Sequence, residues 1–180
     1  MKIKNFFLHL RVVNKHRFTV LKLCIKAGIP FRGLLHDLSK YSIVEFFEGV
    51  KYFDGSVSPI KICKKDLGYS KAWLHHKGRN KHHFEYWIDI SAPNKTPFIP
   101  YKYTAEMICD TIAASIVYNG KKWVPEDCLK YFENRKDLEW INDSTKKILK
   151  EVYESLINNG LDKTINKKNL KRIYNKYKDN

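Results

Sequence analysis

The sequence predicts an all-α fold of about seven helices. Apolar residues recur at intervals of three and four, capping residues stand at the ends of these stretches, and no region is strand-rich. The chain has 180 residues, of which 43% are hydrophobic, so it can bury the core of one domain. We expect a helical domain over residues 1–160 and a basic C-terminal tail or helix over residues 161–180.

In the N-terminal half, boundary residues divide the chain into short helices. Gly28 and Pro30 end the first helix, and a short apolar turn follows over residues 31–38. Pro59 begins a helix that Gly68 stops. The predicted helical segments are 5–27, 42–53, 59–68, 70–76 and 81–88.

In the C-terminal half, the stretch 91–100 contains three prolines and is predicted to be a loop. The clearest helix follows over residues 101–118 and is closed by Asn119 and Gly120. Two further helices are predicted over residues 125–132 and 144–158, and Gly160 ends the second. The last twenty residues are basic and are expected to form a frayed helix or tail.

The composition limits the function classes. A net charge of +15, from 34 Lys and Arg against 19 Asp and Glu, fits either a Lys-rich composition without functional meaning or an anionic partner. A small phosphorylated ligand is the first candidate partner and nucleic acid the second. No apolar run is long enough to span a bilayer and no signal peptide is present, so we expect a cytoplasmic protein without a membrane partner.

The four cysteines form no CxxC pair, so neither a zinc knuckle nor a redox motif is expected. Each has apolar neighbours, and buried free thiols are predicted. They are Cys24, Cys63, Cys109 and Cys128.

Two polar groups stand where apolar residues are expected. His16 lies three residues after Val13 and four before Val20, on the predicted inward face of the first helix. His36 and Asp37 directly follow two leucines. A buried carboxylate beside an imidazole suits a metal ion; the alternative is that Asp37 caps a helix while His36 packs.

Four histidines within nine residues form two doublets, His75 with His76 and His82 with His83. Their aromatic neighbours favour an inward position for at least one histidine of each doublet, whereas the nearby Lys and Arg residues favour a solvated loop. Asp110 lies on the apolar face of the predicted helix 101–118, where a carboxylate needs a cation or hydrogen-bond donors.

Taken together, these residues resemble the signature of the HD superfamily of metal-dependent phosphohydrolases. That signature is a His on an early helix, a His-Asp doublet and a distant Asp, matched here by His16, His36-Asp37 and Asp110. The run from His36 to Lys40 is similar to the His-Asp-x-Gly-Lys of the cyclic-dinucleotide phosphodiesterase branch, with Ser39 in place of Gly. The chain also resembles, over residues 8–120, an uncharacterised family of small bacterial and phage proteins. No Gly-Tyr-Pro follows the histidines, unlike in the phosphodiesterase branch.

The resemblance implies an HD-domain-like helical bundle that hydrolyses a nucleotide, cyclic dinucleotide or related phosphate ester. It implies one or two divalent transition-metal ions (Mn, Fe, Co, Ni or Zn), with Asp37 shared between them. The implied ligands are His16, His36, Asp37, His76, His82, His83 and Asp110. Asp37 and Lys40 are the expected catalytic residues, and His75, Lys77, Arg79 and Asn80 are expected to contact the substrate.

Other interpretations stay open. Glu45 is expected to be the capping-box partner of Ser42 rather than part of the site. Trp73, Tyr86 and Trp87 are expected in the core, or stacked on a base. The alternative functions are a di-iron oxygenase of HD type and a non-catalytic nucleotide or nucleic-acid binder with a degenerate metal site.

Overall fold

The computed structural model describes residues 3–178, and every regular element in this range is helical. The all-α prediction is therefore confirmed, with nine α-helices in the described range rather than about seven. They are α1 (Ile3–Lys26), α2 (Pro30–Leu35), α3 (Ile43–Lys51), α4 (Pro59–Leu67), α5 (Lys71–Lys77), α6 (Tyr101–Asn119), α7 (Glu126–Glu133), α8 (Asp143–Thr164) and α9 (Lys167–Tyr177). Short 3₁₀ turns lie at Leu38–Tyr41, Phe84–Trp87, Gly120–Lys122 and Leu138–Trp140.

Two segments differ from the sequence prediction. The apolar turn predicted over residues 31–38 contains helix α2, because Pro30 occupies the first helical turn, where its missing N–H costs nothing. The segment 81–88 holds only the 3₁₀ turn Phe84–Trp87 and no α-helix.

Helix α1 packs both in the main core and against helix α3. Val20, Leu23 and Cys24 on its C-terminal half are buried in the main core with residues of α6, α7, α8 and α9. Near its N-terminus, Phe6 and His9 contact the ring of Phe46 on α3 instead. The inner face of α1 therefore carries His9 beside α3 and, two turns further along, His16 beside Asp110 of α6.

The C-terminal helix is packed rather than frayed. Leu170, Ile173 and Tyr174 of α9 are buried in the main core, and the Tyr174 hydroxyl donates a hydrogen bond to the Ile99 carbonyl. Gly160, at φ 75°, kinks α8, which continues beyond it to Thr164. The basic residues of this segment point outward while its apolar residues complete the core.

All four cysteines are buried free thiols, as the sequence predicted. Within the described part of the chain, no helix combines the length and the apolarity that crossing a membrane requires.

Candidate metal centre

Asp37 stands at the middle of a buried cluster of histidines and carboxylates. Its backbone is in the left-handed region at φ 53°, and it is the one non-glycine residue with positive φ in residues 3–178. Such a conformation costs on the order of 1 kcal/mol and persists where the surroundings impose it. Its side chain caps no helix, so the alternative that Asp37 is a helix cap is not supported. Instead, His36 and Asp37 are both almost fully buried in the same centre.

The arginine of α1 that follows His16 holds this turn in place. Arg17 donates from Nε to the carbonyl of His36 at 2.8 Å and from Nη2 to the carbonyl of Leu34 at 3.0 Å. Its Nη1 donates to the hydroxyl of Tyr41 at 3.0 Å. Helix α1 therefore supplies His16 and also fixes the backbone that presents His36 and Asp37.

The two oxygens of Asp37 face two different groups of side chains. Oδ2 lies 3.2 Å from Nε2 of His36 and 3.8 Å from Nε2 of His16. Oδ1 lies 3.3 Å from Nε2 of His76 and 3.4 Å from Nε2 of His82. All four imidazoles therefore turn the same ring nitrogen toward one carboxylate.

Asp110, on α6, completes the group of side chains around His16 and His36. Its Oδ1 lies 2.9 Å from Nε2 of His16 and 3.4 Å from Nε2 of His36, and its Oδ2 lies 3.8 Å from Nε2 of His82. The donor atoms of His16, His36, Asp37 and Asp110 all lie within 4.8 Å of one another, and so do those of Asp37, His76, His82 and His83. Each set is compatible with one metal ion.

Glu106 was not identified from the sequence. It is fully buried on α6, one turn before Asp110, and its Oε1 lies 3.1 Å from Nδ1 of His36 and 3.3 Å from Nδ1 of His82. Arg32 of α2 holds the other oxygen, with Nη2 and Nε at 2.6 and 2.7 Å. The four-residue spacing from Glu106 to Asp110 was the available signal, because such residues share a helix face.

Glu45 has a role that the sequence analysis did not favour. Ser42 does cap α3 by accepting from the backbone N–H of Glu45. The carboxylate of Glu45, however, turns to the histidines, with Oε1 2.6 Å from Nδ1 of His75 and Oε2 2.7 Å from Nδ1 of His76. The expected capping-box role of this side chain is therefore wrong, because the imidazoles offer it buried partners.

The loop between the two histidine doublets is tied down by Asn80. Its Nδ2 donates to the Ser39 hydroxyl and to the carbonyl of His76, both at 2.9 Å. His83 follows in contact with Trp73, whose ring also stacks near His76. Lys64 covers Trp73 as well, at 4.7 Å from its ring centroid, so Trp73 belongs to the wall of the centre.

Three carboxylates at the centre are held ionised. Burial alone would raise the pKa of Asp37, but His36, Lys40 and His76 hold that pKa well below its usual range. The pKa of Asp110 is likewise well below its usual range, against the effect of burial, because of His16 and His36. Glu106 has a pKa of about 2, since hydrogen bonds from His36 and His82 outweigh its burial. Buried negative charge of this kind attracts cations.

The pKa values of two imidazoles at the centre are shifted in opposite directions. His76 has a pKa raised to about 9, because Asp37 and Glu45 outweigh the opposing effect of burial. The pKa of His83 lies well below its usual range, first because of burial and then because of His82 and His76. His83 therefore presents a neutral imidazole, the form that binds metals.

A cavity of about 800 Å³ opens beside the centre. His16, His76, His82, His83 and Asp110 line it, and so does Lys40, whose Nζ lies 2.6 Å from Oδ2 of Asp37. Small-molecule sites have volumes of about 300–1,000 Å³, so this cavity has the size of a substrate site.

None of the four residues that were expected to contact the substrate lines this cavity. His75, Lys77, Arg79 and Asn80 are absent from the cavity lining, and the guanidinium of Arg79 donates to the carbonyl of His75 on the protein surface. The cations that line the cavity are instead Lys40, Lys61, Lys64 and Arg135. Arg135 is already paired with Asp137 through two contacts of 2.8 and 2.9 Å.

Comparison with known proteins places the chain in a family. Residues 5–155 match a family described as a family of unknown function (DUF5662). The chain belongs to this family. The matched range contains every residue of the metal centre described above. Neither the curated proteins nor the solved structures searched contain a significant match to the chain.

Proposed function

We propose that the protein is a metal-dependent phosphohydrolase acting on a nucleotide, a cyclic dinucleotide or a related phosphate ester. The single observation that carries the proposal is that the two carboxylate oxygens of Asp37 face different imidazoles. Oδ2 faces His16 and His36, and Oδ1 faces His76 and His82. A carboxylate placed in this way can be shared by two ions. The resemblance to the HD superfamily adds the expectation that such a site hydrolyses phosphate esters.

The residues present fit divalent transition metals. Nδ1 of His36 and of His76 each meets a carboxylate oxygen, which favours a proton on Nδ1, so a bound ion would replace the proton of Nε2, the nitrogen that faces Asp37. Oδ1 of Asp37, Nε2 of His82 and Nε2 of His83 are buried without a hydrogen bond. Mixed imidazole and carboxylate donors suit Mn, Fe, Co, Ni or Zn.

A bound ion would polarise a phosphoryl group and lower the pKa of a bound water molecule. The chain's own residues would position the ester. Lys40 lines the cavity with its ammonium group directly beside Asp37, so it can neutralise a phosphoryl oxygen placed there. Lys61 and Lys64, one turn apart on α4, line the same cavity and extend its positive charge.

The first test is metal analysis of the purified protein, followed by a screen of nucleotides, cyclic dinucleotides and generic phosphate esters with added Mn, Ni or Co. We expect one or two ions per chain and release of phosphate or a nucleotide. Replacing His36 and Asp37 together with Ala should remove both the metal and the activity. The matched control is His9→Gln, because His9 lines the cavity but belongs to neither ligand set.

A double variant that retains full metal content would show that the ligand assignment is wrong. Iron binding with oxygen-dependent turnover and no phosphate release would show that the protein is a di-iron oxygenase and not a hydrolase. Binding of DNA or RNA with a steep salt dependence, and without hydrolysis, would replace it with a nucleic-acid binder.

A further inference from the structure

The outward face of α1 has an apolar stripe that the bundle does not cover. Ile3, Phe7, Phe18 and Ile25 are separated by 4, 11 and 7 residues, which are close to whole numbers of helical turns, so they share one face. Between 56% and 78% of each of these side chains is exposed. The buried residues of α1, among them His9, Val13 and His16, lie on the opposite face.

Helix α2 extends this apolar surface. It packs closely on α1, since Gly33 lies directly against Leu21 and Cys24 and a methyl group there would clash with both residues. Phe31, Leu34 and Leu35 of α2 are 80, 56 and 55% exposed. The surface of α1 and α2 formed by these seven apolar side chains is called the α1–α2 face below. The face consists of separate apolar groups, Ile3 with Phe7 near the start of α1 and Phe18 with Ile25 near its end, because Asn14 and Arg17 between them hydrogen-bond to Tyr41. Exposed apolar groups of this kind mark an interaction site.

Positive charge runs along the same helix. Exposed Lys4, Arg11, Lys15, Lys22 and Lys26 follow one another at intervals of seven and four, which forms a basic stripe directly beside the apolar one. Of these, Lys26 is paired, with Asp162. The chain contains no Asp or Glu before Asp37. The partner of this face must therefore offer apolar surface together with negative charge.

We propose that the α1–α2 face binds the surface of an anionic lipid bilayer. A helix with apolar and aromatic residues along one side and Lys and Arg beside them lies in the interface between headgroups and acyl chains. A second copy of the chain fits less well, because two such faces would bring two basic stripes together with no acidic residue of α1 or α2 to pair with them. The sequence analysis expected no membrane partner, but it considered only segments that span a bilayer.

Binding in this orientation leaves the metal centre accessible. The α1 residues that line the cavity are His9, Val12, Val13 and His16, and none of the seven apolar residues of the α1–α2 face lines it. A bilayer and a substrate can therefore be bound at the same time. The inference does not depend on the proposed hydrolase activity.

The test is co-sedimentation of the full-length protein with phosphatidylcholine vesicles, with and without phosphatidylglycerol. We expect binding only with phosphatidylglycerol, weakened by added salt, and a fall in partition coefficient of about tenfold or more in the double variant Phe18→Ser/Phe31→Ser. The matched control is Ile90→Ser/Leu67→Ser, which replaces side chains that are 68 and 52% exposed elsewhere on the surface. It should bind like the wild type.

Circular dichroism and metal content establish that the variants are folded, and both should be unchanged because the substituted side chains are exposed. The proposal is overturned if the protein does not bind phosphatidylglycerol vesicles, or if both double variants lose binding equally. It is also overturned if sedimentation velocity shows a dimer that Phe18→Ser/Phe31→Ser dissociates while vesicles bind none of the proteins.

Discussion

Oε1 of Glu106 lies 3.1 Å from Nδ1 of His36, behind the ring nitrogen that faces Asp37. The same oxygen lies 3.3 Å from Nδ1 of His82, which belongs to the other ligand set. One carboxylate thus orients one imidazole from each set, and Arg32 fixes that carboxylate from behind. The two halves of the centre share this support as well as Asp37.

Replacing Glu106 with Gln should therefore weaken both proposed ion sites together. The amide cannot balance the charge of Arg32, and it holds the two Nδ1–H groups less strongly than a carboxylate does. Loss of such a supporting contact lowers metal affinity by about 10–100-fold. Calorimetric titration of the metal-free protein with Mn or Co measures the effect on each site.

The matched control for this variant is Glu45→Gln. Glu45 contacts Nδ1 of His76 and of His75, so it supports the second ligand set alone. We expect this change to weaken one ion site and leave the other near its wild-type affinity. Equal effects of the two substitutions on both sites would contradict the shared role of Glu106.

A second prediction concerns the close contact between α3 and α1. A Cβ atom on Gly49 would lie 2.3 Å from Nε2 of buried His9, so Gly49→Ala should push the His9 ring out of its packed position between these helices. Overpacking of this kind costs about 1–3 kcal/mol of unfolding free energy. Gly78→Ala is the matched control, because Gly78 has ordinary helical dihedrals and its nearest neighbour would be 3.4 Å away. Urea denaturation of both variants compares them, and equal stability would show that the contact is not tight.

The sequence predicted the fold class because helix periodicity and capping are local properties. It also pointed to the residues around Asp37 because His16 and Asp110 interrupt apolar faces, and such interruptions can be seen without knowing how the helices pack. Glu106 was missed although it lies one turn before Asp110, because α6 is buried around most of its circumference, as Thr104, Ala105 and Ile108 show, and its buried positions extend beyond the apolar face that the sequence identifies.

Two expectations treated neighbours in sequence as neighbours in space. Lys77 and Arg79 lie between the histidine doublets, but neither of them lines the cavity that His76 lines. Glu45 has the spacing of a capping box with Ser42, yet α5 packs against α3 and offers imidazoles to its carboxylate. Both outcomes depend on tertiary packing, which local patterns do not contain.

A third prediction follows from the pKa of His9, which falls from 6.5 to about 4 because of burial and the charge of Lys40. Between these two pH values the unfolded chain binds a proton at His9 that the native protein does not. The free energy of unfolding therefore decreases as the pH falls from 6.5 toward 4. His9→Gln lacks this contribution, so the wild type should lose on the order of 1 kcal/mol more than the variant between pH 7 and 5.

Urea denaturation of both proteins at the two pH values, with a chelator present throughout, measures this difference. The chelator removes any contribution from metal release in acid. Parallel losses of stability in the two proteins would mean that His9 is protonated as readily in the native state as in the unfolded chain.

The last prediction tests the C-terminal helix as part of the core. Ile173 of α9 is fully buried in the main cluster, so Ile173→Ala should remove packing and leave a cavity. The expected cost is about 2–4 kcal/mol of unfolding free energy, measured by urea denaturation. Lys168→Ala, on the exposed side of the same helix, is the control and should change stability by less than about 0.5 kcal/mol. If Ile173→Ala were as stable as Lys168→Ala, α9 would be the frayed helix or tail that the sequence suggested, and the main core would end with α8.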